Sequence, residues 1–399
     1  MKILFCRQMS NNKILEEAIK MDFNLSEEQE MILKMTRLFA QKELLPIVLE
    51  SDETSKFPVE LYKKMGEMGL LGLPFSSEYG GSDGDYLSYI LAVEEISKVH
   101  SAVGISYSVN TSLCAGGIYQ NASEEQKKKY LPDLCSGKKF GSFGLTEPNA
   151  GSDAAGVRTT AKKNGDHYIL NGSKCFITNG PLSETFLVFA SIDISLGTKG
   201  LTAFIIEKSF PGFSIGTIEN KCGIRATQVS ELLFDDCIVP VENLVGKEGK
   251  GFGIAMKTLD GGRFGVAAQG LGLAEGAFDI AKQYLKDRIQ FGKPLFKNQY
   301  LAFKMAELEI EIEQAKYLLY KGVLDKQAGR PYAVSAAKAK MACTDAAMHV
   351  TVECVQMLGG NGFMKDYHIE RMMRDSKITQ IYEGTNEIMR MIIAGSIFA

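Results

Sequence analysis

"DHYILNGSKCFITNG", at residues 166–180, is the stretch in which helical spacing gives way to short β-rich runs. Asn171 and Gly172 stand between two such runs, and this pair is typical of a tight β-hairpin turn. Comparable runs, separated by glycines and turn residues, follow at residues 184–192, 200–208, 213–218 and 230–240. The sequence therefore predicts a compact antiparallel β domain over residues 140–245.

The residues before this domain carry helical signals instead. Ser26 is followed three residues later by Gln29, and Ser123 by Gln126, which is the capping-box pattern of a helix start. Apolar residues after each serine recur at helical spacing. We therefore expect an N-terminal helical domain over residues 21–139.

The last part of the chain, residues 246–399, returns to helical spacing. A long run covers residues 252–288, although the paired glycines of "DGGR" are expected to break it. Two more long runs cover residues 297–329 and 332–360, and shorter ones lie around residue 383. These runs predict a closely packed C-terminal four-helix bundle. The expected fold class is α+β, mainly α, with helices, sheet and helices in that order.

Composition excludes several classes of partner. The 399 residues include 45 Lys and Arg against 48 Asp and Glu, so no general attraction to nucleic acid or to an anionic membrane is expected. No apolar run approaches the roughly 20 residues that span a bilayer. Eight scattered cysteines without a C-x-x-C pair indicate reduced, mostly buried thiols and a cytoplasmic protein. Residues 1–20 lack a secretory signal pattern and form an extension of unknown role.

Two other enzyme classes have only weak signals. "GGSDG" matches G-x-S-x-G around Ser82, but it lies in a polar loop between helices, which favours a plain turn over a serine hydrolase. The four histidines form no ligand pair, so no metal site is expected. No G-x-G-x-x-G motif follows a strand, which argues against a Rossmann dinucleotide site.

A carboxylate stands in an unusual place in "QIYEGTNEIMR" at residues 380–390, where Glu383 lies between Tyr382 and Gly384. A glutamate at a helix start is often no more than favourable helix-dipole electrostatics. The apolar flank, however, would desolvate this carboxylate and raise its pKa, which suits a general base near neutral pH. On the residues alone, both interpretations stay open.

Four further loops admit either a ligand or a structural turn. "FGLTEPNAGSD" at residues 143–153 offers hydroxyls and free N–H groups, and "DGGRFG" at 260–265 suggests that something approaches the helix backbone closely. "DRIQFGKPLFKNQ" at 287–299 and "QMLGGNGF" at 356–363 suit contacts to phosphates. Capped connections and solvated turns explain the same patterns equally well.

Together with "KCFITNG" and "RMMRDSKITQIYEGTNEI", these motifs resemble the acyl-CoA dehydrogenase family in order and spacing, from residue 21 to the C-terminus. The motifs are most similar to those of the short-chain, butyryl-CoA type. The resemblance implies a helical domain, a β domain and a four-helix bundle, assembled as a homotetramer with FAD. It also implies that Glu383 removes the α-proton of an acyl-CoA while a hydride passes to flavin N5. A trans-2-enoyl-CoA would result, and electron-transfer flavoprotein would receive the electrons.

The resemblance assigns further residues by position, with the FAD pyrophosphate and adenine held across a subunit interface. FAD would be bound by Phe143, Leu145, Thr146, Phe176, Ile177, Thr178, Arg288, Phe291, Gln299, Gln356, Gly359, Gly360, Thr385 and Glu387. Acyl-CoA would be contacted by Ser152, Asp260, Arg263 and Gly384.

Two departures from the family pattern matter. Relatives acting on isovaleryl-CoA or long chains carry their base at the position of Gly262, so the loop glutamate is the candidate here. Phe176 stands where many relatives have Trp. The alternatives are a branched-chain or otherwise specialised acyl-CoA dehydrogenase, an enzyme working as an enoyl-CoA reductase, and a catalytically silent binding protein on the same fold.

Overall fold

The computed structural model describes residues 24–399, so the predicted extension at 1–20 lies outside the described residues. Helices, a sheet and further helices follow one another in the predicted order. The N-terminal helices are α1 (Glu27–Phe39), α2 (Val48–Thr54), α3 (Val59–Glu67), α4 (Tyr86–Ser97), α5 (Ser101–Ser108), α6 (Gly116–Asn121) and α7 (Glu124–Cys135). Both predicted capping boxes are present, at Ser26 and at Ser123.

Helices α5 and α6 are joined without a break by a π-helical segment, Val109–Ala115. All residues of this segment are buried. Such segments widen a helix locally and are frequent at functional sites. One of its residues, Leu113, reaches the C-terminal helices beside Gly262.

The middle domain is an eight-stranded sheet with the order β6-β7-β3-β2-β4-β5-β8, and β1 pairs with β4. Its strands are β1 (Phe140–Gly144), β2 (Thr160–Asn164), β3 (His167–Thr178), β4 (Ser183–Ser191), β5 (Leu201–Glu207), β6 (Phe213–Ile218), β7 (Val229–Pro240) and β8 (Leu244–Val245). Most pairs are antiparallel as predicted, but β1 runs parallel to β4, and β2 meets β4 in one parallel bridge.

The hairpin predicted at Asn171 and Gly172 is wrong, because β3 runs straight through both residues. The pairing of β3 with β7 shifts register between Leu170 and Gly172. The Asn171 amide is used across the strands: it donates to the Asp236 carboxylate at 2.9 Å and accepts from the Asp236 N–H at 2.9 Å. The turn lies between β2 and β3 instead, where Gly165 has a φ of +64°.

The C-terminal domain contains five helices and a short ribbon. These are α8 (Gly251–Asp287), β9 (Ile289–Gln290), β10 (Lys293–Pro294), α9 (Gln299–Gln327), α10 (Ala333–Leu358), α11 (Ile369–Thr379) and α12 (Asn386–Phe398). The predicted break at "DGGR" is wrong, because α8 continues through it. Tertiary packing outweighs the cost of about 1 kcal/mol per helical glycine.

Helix α8 is buried along most of its length because two cores meet on it. On one side, Phe264 and Leu271 share a core with Tyr89 of α4. On the other side, Val266 packs in a second core with Leu187 of the sheet. This double burial explains why small residues dominate α8, and it places the middle of the helix between all three parts of the molecule.

Within residues 24–399, no helix combines the length and the hydropathy that crossing a bilayer requires. The cysteines of this range are free thiols, and all of them except Cys222 are buried, as the sequence predicted.

Candidate active site

Glu383 lies in a tight loop between α11 and α12. Its backbone is left-handed, with a φ of +52°, and Gly384 follows with a φ of +95°. The Asn386 N–H closes the loop by donating to the Gln380 carbonyl at 3.0 Å. A left-handed glutamate is strained, and such strain persists only where the surrounding contacts enforce it. The loop therefore presents the Glu383 side chain in a fixed direction.

The carboxylate of Glu383 is shielded and unpaired. Both of its oxygens are buried, and neither has a hydrogen-bond partner in the described part of the chain. Burial raises the pKa of Glu383 to about 7, while the positive charges of Arg263 and Lys340 oppose that rise. A carboxylate with such a pKa is ionised in part at neutral pH and binds a proton more strongly than a free glutamate, which suits a general base.

Gly262 of α8 provides the space that this carboxylate occupies. A Cβ atom at residue 262 would lie 2.4 Å from Oε2 of Glu383 and 2.5 Å from Cδ2 of Leu113. Both distances are shorter than van der Waals contact, so any larger residue would require the Glu383 carboxylate and the Leu113 side chain to move. The close approach expected at "DGGR" is therefore made by Glu383 itself.

Arg263 holds the backbone of the Glu383 loop. Its Nε donates to the Glu383 carbonyl at 3.3 Å, and its Nη1 donates to Asp260 Oδ1 at 2.5 Å. Arg263 is buried. The structure thus brings Asp260, Arg263 and Gly384 to Glu383, and Arg263 contacts the loop directly. Their predicted contact with acyl-CoA stays a prediction.

The sequence analysis missed two residues that hold the same loop, Gln269 and Lys340. The Tyr382 hydroxyl donates to Oε1 of Gln269, whose Nε2 donates to Ser101 Oγ at 2.8 Å. Lys340 Nζ donates to the Gly384 carbonyl at 2.9 Å. The signal for Lys340 was present in the sequence, because it lies at helical spacing among the apolar residues of α10 and therefore on a buried face.

The loop at residues 145–159 is anchored by a buried ion pair that the sequence analysis also missed. Lys174 Nζ donates to Glu147 Oε1 at 2.7 Å and to the Leu145 carbonyl at 3.2 Å. Glu147 also accepts from the N–H groups of Arg158 at 2.7 Å and Thr159 at 3.0 Å. Burial lowers the pKa of Lys174 to about 8, although the Glu147 charge counteracts this. The pair fixes the loop against β3.

Replacing Lys174 by methionine is expected to lower the free energy of unfolding by about 3 kcal/mol, because the Glu147 charge would stay buried without its cation. Urea unfolding followed by circular dichroism measures this. The control is Lys163→Met, which removes an exposed lysine of β2 and should change stability by less than about 0.5 kcal/mol. Equal stabilities of the two variants would contradict the assigned role.

The predicted cofactor residues near this loop differ in exposure. The Phe143 ring packs on Phe189 in the core, and Leu145 and Ile177 are buried too, while their predicted contact with FAD stays a prediction. The Thr146 carbonyl accepts from the Cys175 N–H at 3.0 Å. Thr146 and Thr178 are half-buried, and Ser152 is exposed.

Phe176 is the outlier of this group. Its ring is 66% exposed, and its backbone is left-handed with a φ of +59°. The strand register shifts between Lys174 and Ile177, which turns the Phe176 side chain out of the core. Aromatic rings exposed at a strained backbone position are suited to stacking on a flat ligand.

A second group of predicted cofactor residues lies on the surface, at or near the opposite end of α8. The exposed members are Arg288, Phe291, Gln299, Gln356, Gly359 and Gly360. Arg288 is roughly 40 Å from Gly262 along the helix, at a rise of about 1.5 Å per residue. Asn361 Nδ2 donates to the Tyr284 hydroxyl at 2.9 Å, which places the glycine loop beside the end of α8. A single chain does not bring these residues to Glu383.

Two predicted residues follow Glu383 in its own loop. The Thr385 hydroxyl accepts from the Ile388 N–H at 3.3 Å and so caps α12. Glu387 is exposed in the first turn of that helix. Their predicted contact with FAD stays a prediction.

Models of the N-terminal, middle and C-terminal domains of acyl-CoA dehydrogenases match residues 26–138, 142–237 and 249–398. The "Acyl-CoA dehydrogenase, short-chain specific" of Clostridium acetobutylicum is 58% identical over 95% of this chain and 100% of its own length. The chain belongs to the acyl-CoA dehydrogenase family. As a member of this family it is an oxidoreductase.

Two solved structures resemble this acyl-CoA dehydrogenase closely. Butyryl-CoA dehydrogenase from Megasphaera elsdenii superimposes with a TM-score of 0.94 at 51% identity, covering 95% of this chain and 100% of its own. A chain from a structure described as the electron transferring flavoprotein of Acidaminococcus fermentans has a TM-score of 0.94 at 53% identity. It covers 94% of this chain and 99% of its own. These similarities confirm the predicted fold class.

The residues of this acyl-CoA dehydrogenase fit FAD, the cofactor of its family. Phe176 offers an exposed aromatic surface for the ring system. At Gly359 and Gly360 a Cβ would meet no atom within 4 Å, so the backbone there is open to a close ligand. Arg288 provides an exposed positive charge at the same end of the molecule, which suits a pyrophosphate.

Proposed function

We propose that this acyl-CoA dehydrogenase converts short-chain acyl-CoA, butyryl-CoA in particular, to trans-2-enoyl-CoA, and that Glu383 is the base. The observation that carries the proposal is the Glu383 carboxylate, which is shielded, has no hydrogen-bond partner in the described residues and fills the space left by Gly262. A structural carboxylate in such a position would be expected to have a partner. An unpaired one is available for a proton from substrate.

In this reaction Glu383 accepts the α-proton of the thioester. The raised pKa helps, because a carboxylate with a pKa of about 7 is a stronger base than an ordinary glutamate. Bound FAD would supply the acceptor for the hydride from the β-carbon, a chemistry that no side chain of this chain provides. The left-handed backbone at residue 383 sets the direction of the Glu383 side chain. Helix α8 limits its movement, because the carboxylate lies directly against Gly262.

The backbone of Glu383 provides a second contribution. Among the described residues, its N–H donates to no backbone carbonyl. An N–H group fixed next to the base can donate to the thioester oxygen, on which negative charge develops as the proton leaves. One such preorganised donor stabilises an oxyanion by roughly 3 to 4 kcal/mol. Proton removal and charge stabilisation would therefore come from one residue.

Short-chain specificity is supported by the similarity to the short-chain specific enzyme of Clostridium acetobutylicum and to butyryl-CoA dehydrogenase of Megasphaera elsdenii. Gly262 supports it as well. Relatives acting on isovaleryl-CoA or long chains carry their base at that position of α8, and glycine provides no carboxylate there.

Anaerobic titration of the yellow protein with butyryl-, octanoyl-, palmitoyl- and isovaleryl-CoA tests this proposal. We expect butyryl-CoA to bleach the flavin absorbance at the lowest concentration. Stronger bleaching by isovaleryl- or palmitoyl-CoA would point to a branched-chain or long-chain enzyme. A colourless protein that takes up no added FAD would point to a silent binding protein.

The proposed electron acceptor is electron-transfer flavoprotein, in the cytoplasm. The proposal is supported by the similarity at 53% identity to a chain in a structure described as an electron transferring flavoprotein. The free thiols of the described part suit a reducing compartment.

The proposed assembly is a homotetramer in which FAD is bound across an interface. Arg288 and Phe291 lie far from Glu383 within one chain, so a second copy would have to supply that end of the site. Large apolar side chains are exposed there: Phe291 is 94% exposed, Tyr300 72% and Phe303 59%. Exposed patches of this kind mark protein interfaces. Sedimentation of the purified protein tests this assembly. We expect a tetramer, and a monomer would contradict the proposal.

A further inference from the structure

We propose that Lys340 is a positioning residue for Glu383: its ammonium group holds the loop on both sides of residue 385 and so aims the carboxylate. This inference rests on the proposed function, in which Glu383 is the base. Lys340 itself touches neither substrate nor cofactor in the proposal.

The geometry of Lys340 links α10 to the catalytic loop. Its side chain is fully buried, and Nζ donates to the Gly384 carbonyl at 2.9 Å and to Asn386 Oδ1 at 2.8 Å. Asn386 is fixed in turn, because its Nδ2 donates to Asp345 Oδ1 at 2.7 Å and to Thr344 Oγ1 at 3.0 Å. The bonds therefore tie the residue after Glu383, and the first residue of α12, to one rigid helix.

A buried lysine is energetically unfavourable at this position of α10. Burying an ammonium group without a paired carboxylate is unfavourable, and an apolar side chain of the same length would fill α10 equally well. In the described residues, no carboxylate lies within salt-bridge distance of Lys340. The Lys340 ammonium group donates to the loop instead, and this loop contains the positive φ values of Glu383 and Gly384. The contact explains what enforces that strain.

The charges around Glu383 come from several elements. Arg263, paired with Asp260, faces it from α8, and Lys340 faces it from α10. The titratable hydroxyls that face Glu383 belong to Tyr86 and Tyr89 of α4 and to Tyr382 of its own loop.

Lys340 in turn faces four charged side chains: Glu383, Arg263, Asp345 and Glu387. Burial lowers the pKa of Lys340 to about 7, whereas the negative charge of Glu383 raises it. The cation therefore stabilises the carboxylate form of Glu383, and its removal should raise the pKa of that carboxyl further.

The test uses the FAD-loaded protein and two variants, Lys340→Met and Lys340→Gln, with Lys338→Met as the matched control on the exposed face of the same helix. Infrared difference spectra record the protonated carboxyl of Glu383, which is assigned by its loss in Glu383→Gln. The wild-type midpoint should lie near pH 7. In both Lys340 variants it should move up, by at most about one pH unit because Lys340 is itself only partly charged near pH 7.

Steady-state kinetics with butyryl-CoA provide the second measurement. At a pH high enough to ionise Glu383, kcat of Lys340→Met should be lower by on the order of a hundredfold with KM little changed, because the base is misaligned. Lys338→Met should match the wild type in both measurements.

An unchanged infrared midpoint, or a wild-type kcat at high pH, in either folded variant would overturn the proposal. If neither variant folds while Lys338→Met does, Lys340 serves the fold rather than the base, and the proposal is wrong. Retained activity in Glu383→Gln would instead overturn the proposed function, whereas the infrared midpoint would still report whether Lys340 acts on Glu383.

Discussion

Glu383→Gln is expected to lower the rate of flavin reduction by butyryl-CoA by about a thousandfold, within the range that general bases contribute. Glutamine has nearly the same shape as glutamate, so it should fit the space beside Gly262 and leave the loop intact. It cannot accept the α-proton. Stopped-flow mixing of the FAD-loaded variant with butyryl-CoA, read by loss of flavin absorbance, measures the effect.

The matched control is Glu60→Gln, which neutralises an exposed glutamate of α3. It should reduce flavin at the wild-type rate. The FAD content of Glu383→Gln should equal that of the wild type, which separates loss of the base from loss of the cofactor. A Glu383→Gln enzyme that still bleaches within a few fold of the wild-type rate would refute the assignment of the base.

Gly262→Ala is expected to lower the same rate by on the order of a hundredfold, the effect of displacing a catalytic group by about 1 Å. The added methyl group would lie 2.4 Å from Glu383 Oε2 and 2.5 Å from Leu113 Cδ2, so the carboxylate has to move. The gain of about 1 kcal/mol in helix propensity should offset part of the overpacking, and the protein should fold.

Gly253→Ala is the control in the same helix, because a Cβ at residue 253 would meet no other atom within 4 Å. It should leave the rate unchanged and raise the free energy of unfolding by up to about 1 kcal/mol. Comparing Gly262→Ala with Gly253→Ala separates the effect of an added alanine in α8 from the effect of a methyl group against the Glu383 carboxylate. Equal rates for both variants would show that the Glu383 carboxylate does not depend on the space at Gly262.

Local patterns correctly predicted those elements of the fold whose structure depends on contacts within a single segment. The capping boxes at Ser26 and Ser123 and the helix, sheet, helix order are present as predicted. The pair Asn171 and Gly172 misled, because the Asn171 amide bonds to Asp236, a residue far along the chain. The glycines of "DGGR" misled for the same reason, since the groups beside Gly262 come from Leu113 and Glu383, and those beside Gly261 come from Tyr86 and Lys326.

The candidate site was predictable only in part. Glu383 could be singled out because an acidic residue between an apolar flank and a glycine is unusual, and its motif resembles that of a family. Lys340 and Gln269 were missed, since each is one polar residue on an apolar helix face and its partner in the catalytic loop is distant in sequence. Lys174 and Glu147 were missed because neither lies in a pattern of charge that a single segment shows.

The sequence by itself determined the order of domains, the family and the carboxylate that is proposed as the base, because these depend on local periodicity and on motifs within single segments. Tertiary structure alone decided that Glu383 rests against the backbone of α8, that buried cations hold its loop, and that its oxygens stay unpaired. The physical reason is that desolvation and steric contact depend on atoms brought together from distant parts of the chain, and no local pattern records them.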